Sequence, residues 1–328
     1  MIWMMLSRGL LKCMKKYSTT KLLIKDKPVI KKNVNDKLES VLILPENTER
    51  QGEGGLRIKG YFQKSYENKP LITIVTVVYN GAEHLEKTMK SVIEQSYDNV
   101  EYIIIDGGST DGTLEIIKRY KNEIDYWVSE ADGGIYDAMN KGIALGNGEW
   151  INFMNEGDSF YNDEVLAFVA SSDDGLSRGV IYGDSMKIYG GDRAIFKKCK
   201  PLISMDRELP FVHQCAFVKT SLAKQHPFDI YYKICADYDF FYRLYTEGVV
   251  FKYIKSTIAK YDMSGVSSNY LATYNEIREI EIFYSNGKSP YITRLSLLVI
   301  AIKETIKKFL PKDLIAKIQI KLEQGRKK

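Results

Sequence analysis

The sequence predicts an α/β fold with a mostly parallel central sheet flanked by helices, and three observations predict it. The run ITIVTVV at 72–78 is β-branched throughout and bounded by Pro70 and by Asn80-Gly81, as a strand buried on both faces should be. Two further apolar runs, YIII at 102–105 and EWINFM at 149–154, lead into polar turns that carry Asp106 and Asp158. Apolar residues recur at helical spacing between these runs, and strand alternating with helix requires right-handed crossovers and parallel pairing.

In chain order, residues 1–69 form a basic, partly ordered extension that ends in a Gly-rich segment, QGEGGLRIKG. After the 72–78 strand, Leu85, Met89, Val92 and Ile93 mark a helix. The 102–105 strand follows, and beyond Ser109-Thr110-Asp111-Gly112 a helix carries Leu114, Ile116 and Ile117. DYWVS at 125–129 predicts a short strand, and Ile135 to Leu145 a helix. The second half is less regular: strands are expected at 179–182, 186–189, 214–218 and 250–254, with a helix over 237–247. From residue 266 to 328 the chain turns helical and basic. Leu310, Leu314, Ile315, Ile318 and Leu322 sit at helical spacing among lysines, the pattern of a helix lying on a membrane surface or packed with a solvated Lys face. The main domain is expected over 70–265.

At 328 residues the chain can bury a full core in one large domain with appendages. Its net charge of +5 is unevenly spread. Residues 1–32 hold nine Lys/Arg against Asp26, and residues 303–328 hold nine against Glu304, Asp313 and Glu323, so the middle is acidic. That excludes a nucleic-acid groove across the body and suits two ends that meet an anionic membrane surface. Cys13, Cys199, Cys215 and Cys235 form no CxxC pair, consistent with reduced thiols in the cytoplasm. The opening residues mix apolar and basic types too evenly for a signal peptide. No apolar run reaches transmembrane length; LSLLVIAI at 295–302 is bracketed by Arg294 and Lys303.

Ligands in open α/β sheets bind beyond the carboxyl ends of the strands, so Asn80, Asp106 and Asp158 are expected to converge on one cleft. Acids without a GxxxxGK[ST] phosphate loop suggest a nucleotide whose phosphates are held through a divalent metal. Asp106 can accept hydrogen bonds from a base or ribose, or cap its own turn; Asp111 sits in good helix-capping chemistry. Asp158 is the candidate Mg²⁺ or Mn²⁺ ligand, and strand alternation points Glu156 away from it. Tyr136, Asp137 and Asn140 open the helix after Gly133-Gly134, whose free amides favour an anion. Asp237 and Asp239, two apart on a helix, face different sides. Arg243, four beyond Asp239, makes Asp239 the structural acid and Asp237 the candidate general base. His213, beside Gln214, could bind a diphosphate, ligate metal or serve structurally. No GxGxxG follows a strand and no GxSxG occurs, which disfavours an oxidoreductase, a nucleotidyltransferase and a hydrolase.

PLITIVTVVYNG, IIIDGGSTDGT, GGIYDAMNKGIALGNGEWINFMNEGD and the later ADYD resemble a bacterial family 2 glycosyltransferase of the GT-A fold, over roughly residues 70–265. GGIYDAMNKGI is similar to the branch acting in cell-surface polysaccharide synthesis. The resemblance implies an inverting transferase that uses a nucleotide-sugar donor (UDP-linked) and Mn²⁺ or Mg²⁺. It further implies a glycan or polyprenyl-diphosphate-linked acceptor and a place on the inner face of the cell membrane. It implies donor contacts at Val78, Asn80, Asp106, Gly108, Asp132, Tyr136, Asn140, Asn155 and His213, metal ligation by Asp158 and a catalytic base at Asp237. KYDMSGVSS is a further recurrent feature. Gly107, Asn155, Gly157 and Ala236 depart from acids common in the family. A catalytically inactive sugar-nucleotide-binding scaffold is the alternative.

Overall fold

The computed structural model describes residues 42–173, 179–189, 194–206, 208–262 and 270–284. The basic N-terminal run, most of KYDMSGVSS and the amphipathic C-terminal stretch lie outside these residues. Strands β1 (Gly52–Gly54), β2 (Ile72–Val78), β3 (Val100–Asp106), β4 (Tyr126–Ser129), β5 (Trp150–Phe153), β6 (Ser159–Phe160), β7 (Val180–Ile188), β8 (Ala194–Lys197), β9 (Ala216–Lys219) and β10 (Phe251–Asp262) form one sheet. Its order is β1-β4-β3-β2-β5-β9-β7-β10-β6, with β8 paired to β7.

The block β4-β3-β2-β5 is parallel throughout, as the alternation of strands and helices predicts. Beyond β5 the sheet is mixed: β9 runs antiparallel to both β5 and β7, while β7 and β10 are parallel to each other. The strands expected at 179–182 and 186–189 are one continuous β7, because β10 and β8 pair along the intervening Gly183–Ser185 region and beyond.

Every residue of β2 is buried, so both faces need cover. Val75 and Val77 join Ile103, Ile105, Met139, Ile143 and Phe153 in one core layer. Helices α3 (Ile135–Leu145) and α6 (Ala236–Thr246) close that layer. Ile72, Ile74 and Val78 join Ile104, Leu85, Met89 and Leu166 in the other, under α1 (Leu85–Ile93), α2 (Thr113–Arg119) and α4 (Val165–Ser171). Gly142 in α3 is needed for close approach: a Cβ there would meet Val75 Cγ1 at 2.4 Å. Helix α5 (Thr220–Gln225) follows β9, and α7 (Tyr270–Tyr284) packs Ile277 and Ile280 onto the first layer.

The segment before β2 is built into the domain from residue 42 onward. β1 pairs with β4, and the Arg57 guanidinium donates to Glu101, to the Leu145 carbonyl at 3.0 Å and to the Leu42 carbonyl at 3.2 Å. Arg57 and Glu101 are both about 1% exposed, so this ion pair is fully inside the protein. Glu101 also accepts from Thr73 Oγ1 at 2.6 Å and from the Asn147 amide at 2.8 Å, which satisfies a charge that burial would otherwise make costly.

Candidate functional site

β2, β3 and β5 deliver their carboxyl ends to one edge of the sheet, and the polar turns gather there. Val78 accepts from the Gly107 amide at 2.9 Å, joining the β2 and β3 ends. Asn80 adopts a left-handed backbone (φ 51°), a conformation Asn tolerates better than most residues. Its amide donates to Ser109 Oγ at 2.7 Å and its Oδ1 accepts from Thr110 at 2.9 Å, so it braces the Ser109-Thr110 turn. Asp111 accepts from Thr113 and from the Ala82 amide, the capping role its sequence context foresaw.

Two of the residues expected to contact the donor are buried and hydrogen-bonded within the protein. Asp106 is 0% exposed, and it accepts from the Ser109 amide at 3.1 Å, from the Ser109 hydroxyl and from the Ser129 hydroxyl at 2.5 Å. Its carboxylate organises the turn. Asn140 is 2% exposed, and its side chain exchanges two 2.9 Å bonds with the Phe228 backbone. It pins the 228 loop to α3, and no part of its amide reaches the cleft.

The second cluster forms where β5 meets the turn before β9. That turn, His213–Cys215, is a short 3₁₀ segment, so the strand expected from 214 begins instead at Ala216. Gln214 Nε2 donates to Asp158 Oδ2 at 2.5 Å. Asn155 Nδ2 and His213 Nε2 are 3.1 Å apart, and His213 Nδ1 lies 3.4 Å from Asp237 Oδ2. With the Asn155 amide donating to Nε2, a neutral ring carries its proton on Nδ1, facing Asp237. The Asn155 Oδ1 and Gln214 Oε1 atoms are buried with no hydrogen-bond partner among the described residues.

Asp237 lies in the first turn of α6, where the helix dipole favours a negative charge. Its Oδ1 accepts from the Tyr238 amide at 2.9 Å and lies 3.2 Å from the Tyr136 hydroxyl, which is also 2.6 Å from the Ile234 carbonyl. Burial, then the Asp237 charge, pushes the Tyr136 phenol well above its ordinary value, so Tyr136 stays a neutral donor. From α7, Glu276 accepts from the amides of Lys233, Ile234 and Cys235 at 2.8–2.9 Å, fixing the approach to α6. The Asp237 side chain is 20% exposed, so its carboxylate is held yet reachable. Asp239 is 4% exposed and bound by Arg243 at 3.0 Å and Tyr284 at 2.9 Å, the structural acid that the i,i+4 spacing predicted.

Glu156 points elsewhere, its Cγ 2.5 Å from where a Cβ on Gly81 would lie, and burial raises its carboxyl. Asp132 accepts from the Gly134 amide at 2.8 Å and extends over the bare backbone of Gly107. Burial raises its carboxyl, against the pull of the Gly134 bond and the Lys141 charge. Gly108 is left-handed (φ 85°) beside the Ala131 amide.

Sequence reasoning missed three residues here. Tyr79, directly after β2, is 67% exposed with its ring edge against Gly107, a clear anomaly for an aromatic at a strand end. Lys141 is buried and donates to Glu130 at 2.9 Å, and Arg50 binds the other Glu130 oxygen at 2.9 Å. Burial pushes Glu130 up, but the bonds from Lys141 and Arg50 outweigh it and leave the carboxyl lowered. The partnership of Arg50 with Glu130, 80 residues apart, left no local signal in the sequence.

Residues 73–222 match the family model described as glycosyl transferase family 2. An uncharacterized glycosyltransferase of Mycobacterium tuberculosis is 32% identical over 209 residues, 61% of this chain and 78% of that protein. The chain belongs to glycosyltransferase family 2. A PGL/p-HBAD biosynthesis glycosyltransferase of Mycobacterium bovis is 27% identical to this glycosyltransferase over 248 residues, 71% of this chain and 89% of that protein. Its fold is that of the GT-A enzymes. S. aureus TarS 1–349, solved in complex with UDP, superposes with a TM-score of 0.51 at 19% identity, over 65% of this chain and 64% of that one. Mannosyltransferase PcManGT from Pyrobaculum calidifontis, solved with GDP-Man and Mn²⁺, gives 0.54 at 15% identity, over 79% and 81%. Among the described residues no helix is long and apolar enough to cross a membrane.

Proposed function

We propose that this glycosyltransferase moves a sugar from a nucleotide-sugar donor to an acceptor hydroxyl by a single in-line displacement with inversion. Asp237 is the base that removes the acceptor proton. The observation that carries the reading is the continuous chain Asn155–His213–Asp237, which ties the turn after β5 to the candidate base. A base must be oriented as well as present. Here Tyr136, the Tyr238 amide and His213 hold Asp237 from three sides.

The site's donor set fits a hard divalent cation such as Mn²⁺ or Mg²⁺. Such ions take oxygen ligands, often one or two carboxylates with substrate phosphates. Asp158 offers a carboxylate, and the carbonyl oxygens of Asn155 and Gln214, without a hydrogen-bond partner among the described residues, are neutral oxygen donors in the same cluster. Among the described residues no group of three His, Cys, Asp or Glu could hold a metal, so amide oxygens would substitute for acids there. A bound cation would neutralise charge on the leaving diphosphate. The chain's own part is to hold Asp158 through Gln214 and to keep Asp237 aimed. Tyr79 offers an exposed ring on which a base can stack.

The donor is UDP-linked in this reading, and the acceptor is a glycan or polyprenyl-diphosphate-linked sugar at the inner membrane face, in surface polysaccharide synthesis. The net basic charge of both ends of the sequence supports membrane attachment, since each Lys or Arg near an anionic leaflet contributes about 1 kcal/mol. A relative named as a PGL/p-HBAD biosynthesis glycosyltransferase supports a biosynthetic role for the transfer.

The test is nucleotide release from a panel of sugar nucleotides, with Mn²⁺ or with chelator, and with membrane lipid extract as acceptor. Acceptor- and metal-dependent release from one donor, abolished in Asp158→Ala and Asp237→Ala, is the expected result. Binding of a donor without turnover under every acceptor would replace the enzyme with a sugar-nucleotide-binding scaffold.

A further inference from the structure

Asp106 is consumed by two serines, so whatever reads the nucleotide's base must come from elsewhere around the same turn. Gly107 and Gly108 leave that turn bare. The position a Cβ on Gly107 would occupy lies 2.7 Å from Asp132 Oδ2 and 3.4 Å from Tyr79 Cδ2, and the corresponding position on Gly108 lies 3.4 Å from Gln51 Nε2. A carboxylate, an aromatic ring and a primary amide from three separate segments therefore border one backbone turn at the end of β3.

Gln51 belongs to none of the strands and helices whose turns form the rest of the cleft. It precedes β1 and lies outside residues 73–222, the part matched by the family model. Its place is nonetheless fixed. The Gln51 amide donates to the Ser129 carbonyl at 2.8 Å, and Gly52 pairs with Ser129 in the sheet register. Its neighbour Arg50 is tied to Glu130 and Glu53, and Arg57 anchors the far side of β1 on Glu101. The Gln51 side chain is exposed and makes no hydrogen bond among the described residues. A rigidly seated backbone thus presents an uncommitted amide beside the turn, and binding it would cost little reorganisation.

We propose that Gln51 and Asp132 are the specificity-determining residues for the donor's nucleobase, reading a ring N–H beside a carbonyl as in uracil or guanine. The assignment rests on the sugar-nucleotide reading above. Asp132 accepts from the ring N–H, and the Gln51 amide donates to the adjacent carbonyl oxygen. The ring N–H of uracil or guanine is acidic and is the stronger donor to a carboxylate. Cytosine and adenine present a bare ring nitrogen at that position, which repels Asp132. The discrimination comes from the Asp132 carboxylate, which accepts from a ring N–H and is repelled by a bare ring nitrogen, while the Gln51 amide adds a second bond to the adjacent carbonyl.

The experiment is calorimetric titration of the full chain with UDP, GDP, CDP, ADP and inorganic diphosphate in Mn²⁺ buffer, repeated for Gln51→Ala and Asp132→Asn. Circular dichroism of both variants is the control for folding. UDP or GDP is expected to bind at least about tenfold tighter than CDP and ADP. Which of the two binds identifies the base. Gln51→Ala is expected to lose about tenfold for the favoured nucleotide and to leave inorganic diphosphate unchanged, and Asp132→Asn to narrow the gap to CDP and ADP. The proposal is overturned if Gln51→Ala binds the favoured nucleotide as the parent does, or if the parent takes all four nucleotides alike. If no nucleotide binds at all, the sugar-nucleotide reading falls first and carries this one with it.

Discussion

His213 performs two jobs with one ring, and the two nitrogens can be replaced separately. Nδ1 faces Asp237 at 3.4 Å, and Nε2 meets the Asn155 amide at 3.1 Å. An Asn side chain can place its amide nitrogen near the Nδ1 position but is too short for Asn155. A Gln side chain reaches the Nε2 position and leaves Asp237 without its donor. At 3.4 Å the Nδ1 contact with Asp237 is electrostatic rather than a full hydrogen bond and contributes about 0.5–1.5 kcal/mol, and each 1.36 kcal/mol is tenfold in rate. His213→Gln is therefore expected to lower kcat by about 3- to 10-fold with KM little changed, because the lost contact orients the base rather than the donor. His213→Asn is expected to stay within about twofold of the parent. The assay is steady-state nucleotide release from the donor that the panel identifies, with thermal unfolding of each variant as the control for folding. The reasoning is refuted if Gln preserves the rate while Asn abolishes it, since the Asn155 contact would then be the one that matters. It is refuted equally if both variants match the parent.

Three further outcomes follow from the geometry. Arg57→Met removes one partner of a fully buried ion pair and strands Glu101, so urea unfolding should show a loss of about 3–5 kcal/mol. Burial, opposed by the Tyr102 amide and reinforced by the Glu101 charge, pushes Asp125 up to about 7 from its ordinary 3.8. The folded state then holds a proton that the unfolded state has released, so this group's stabilisation is full below pH 4 and is lost as pH rises toward 7. Asp125→Asn should gain on the parent by up to about 4 kcal/mol across that window, read from denaturation midpoints at pH 4 and pH 8. Glu276→Ala frees three backbone amides ahead of α6, and should slow turnover while leaving nucleotide affinity intact, a split that calorimetry and kinetics together resolve.

The first half of the fold was legible because its signals are local. β2 and the Ile135–Leu145 helix have the boundaries the sequence predicts, since a β-branched run between turn residues and an apolar stripe at helical spacing each specify one element. The pairing of Asp239 with Arg243 was legible for the same reason, through the four-residue step between them. β1, β6 and β8 were not: they have two to four residues and take their order from partners far along the chain. The internal partners of Asp106 and Asn140 were not legible, because nothing local shows that Ser129 or the Phe228 backbone will bind their side chains. The His213-Gln214 turn drew notice as a pair, but its reach to Asn155 and Asp158 spans 58 and 56 residues and appears only in three dimensions.

The central claim is that Asp237 removes the acceptor proton, and Asp237→Asn tests it most directly. The amide keeps the size of the side chain and cannot act as the base. In single-turnover transfer with the identified donor and acceptor, the variant should bind the donor as the parent does and transfer about 10²- to 10⁴-fold more slowly. Transfer within a few-fold of the parent at unchanged donor affinity would contradict the account and move the base to another residue.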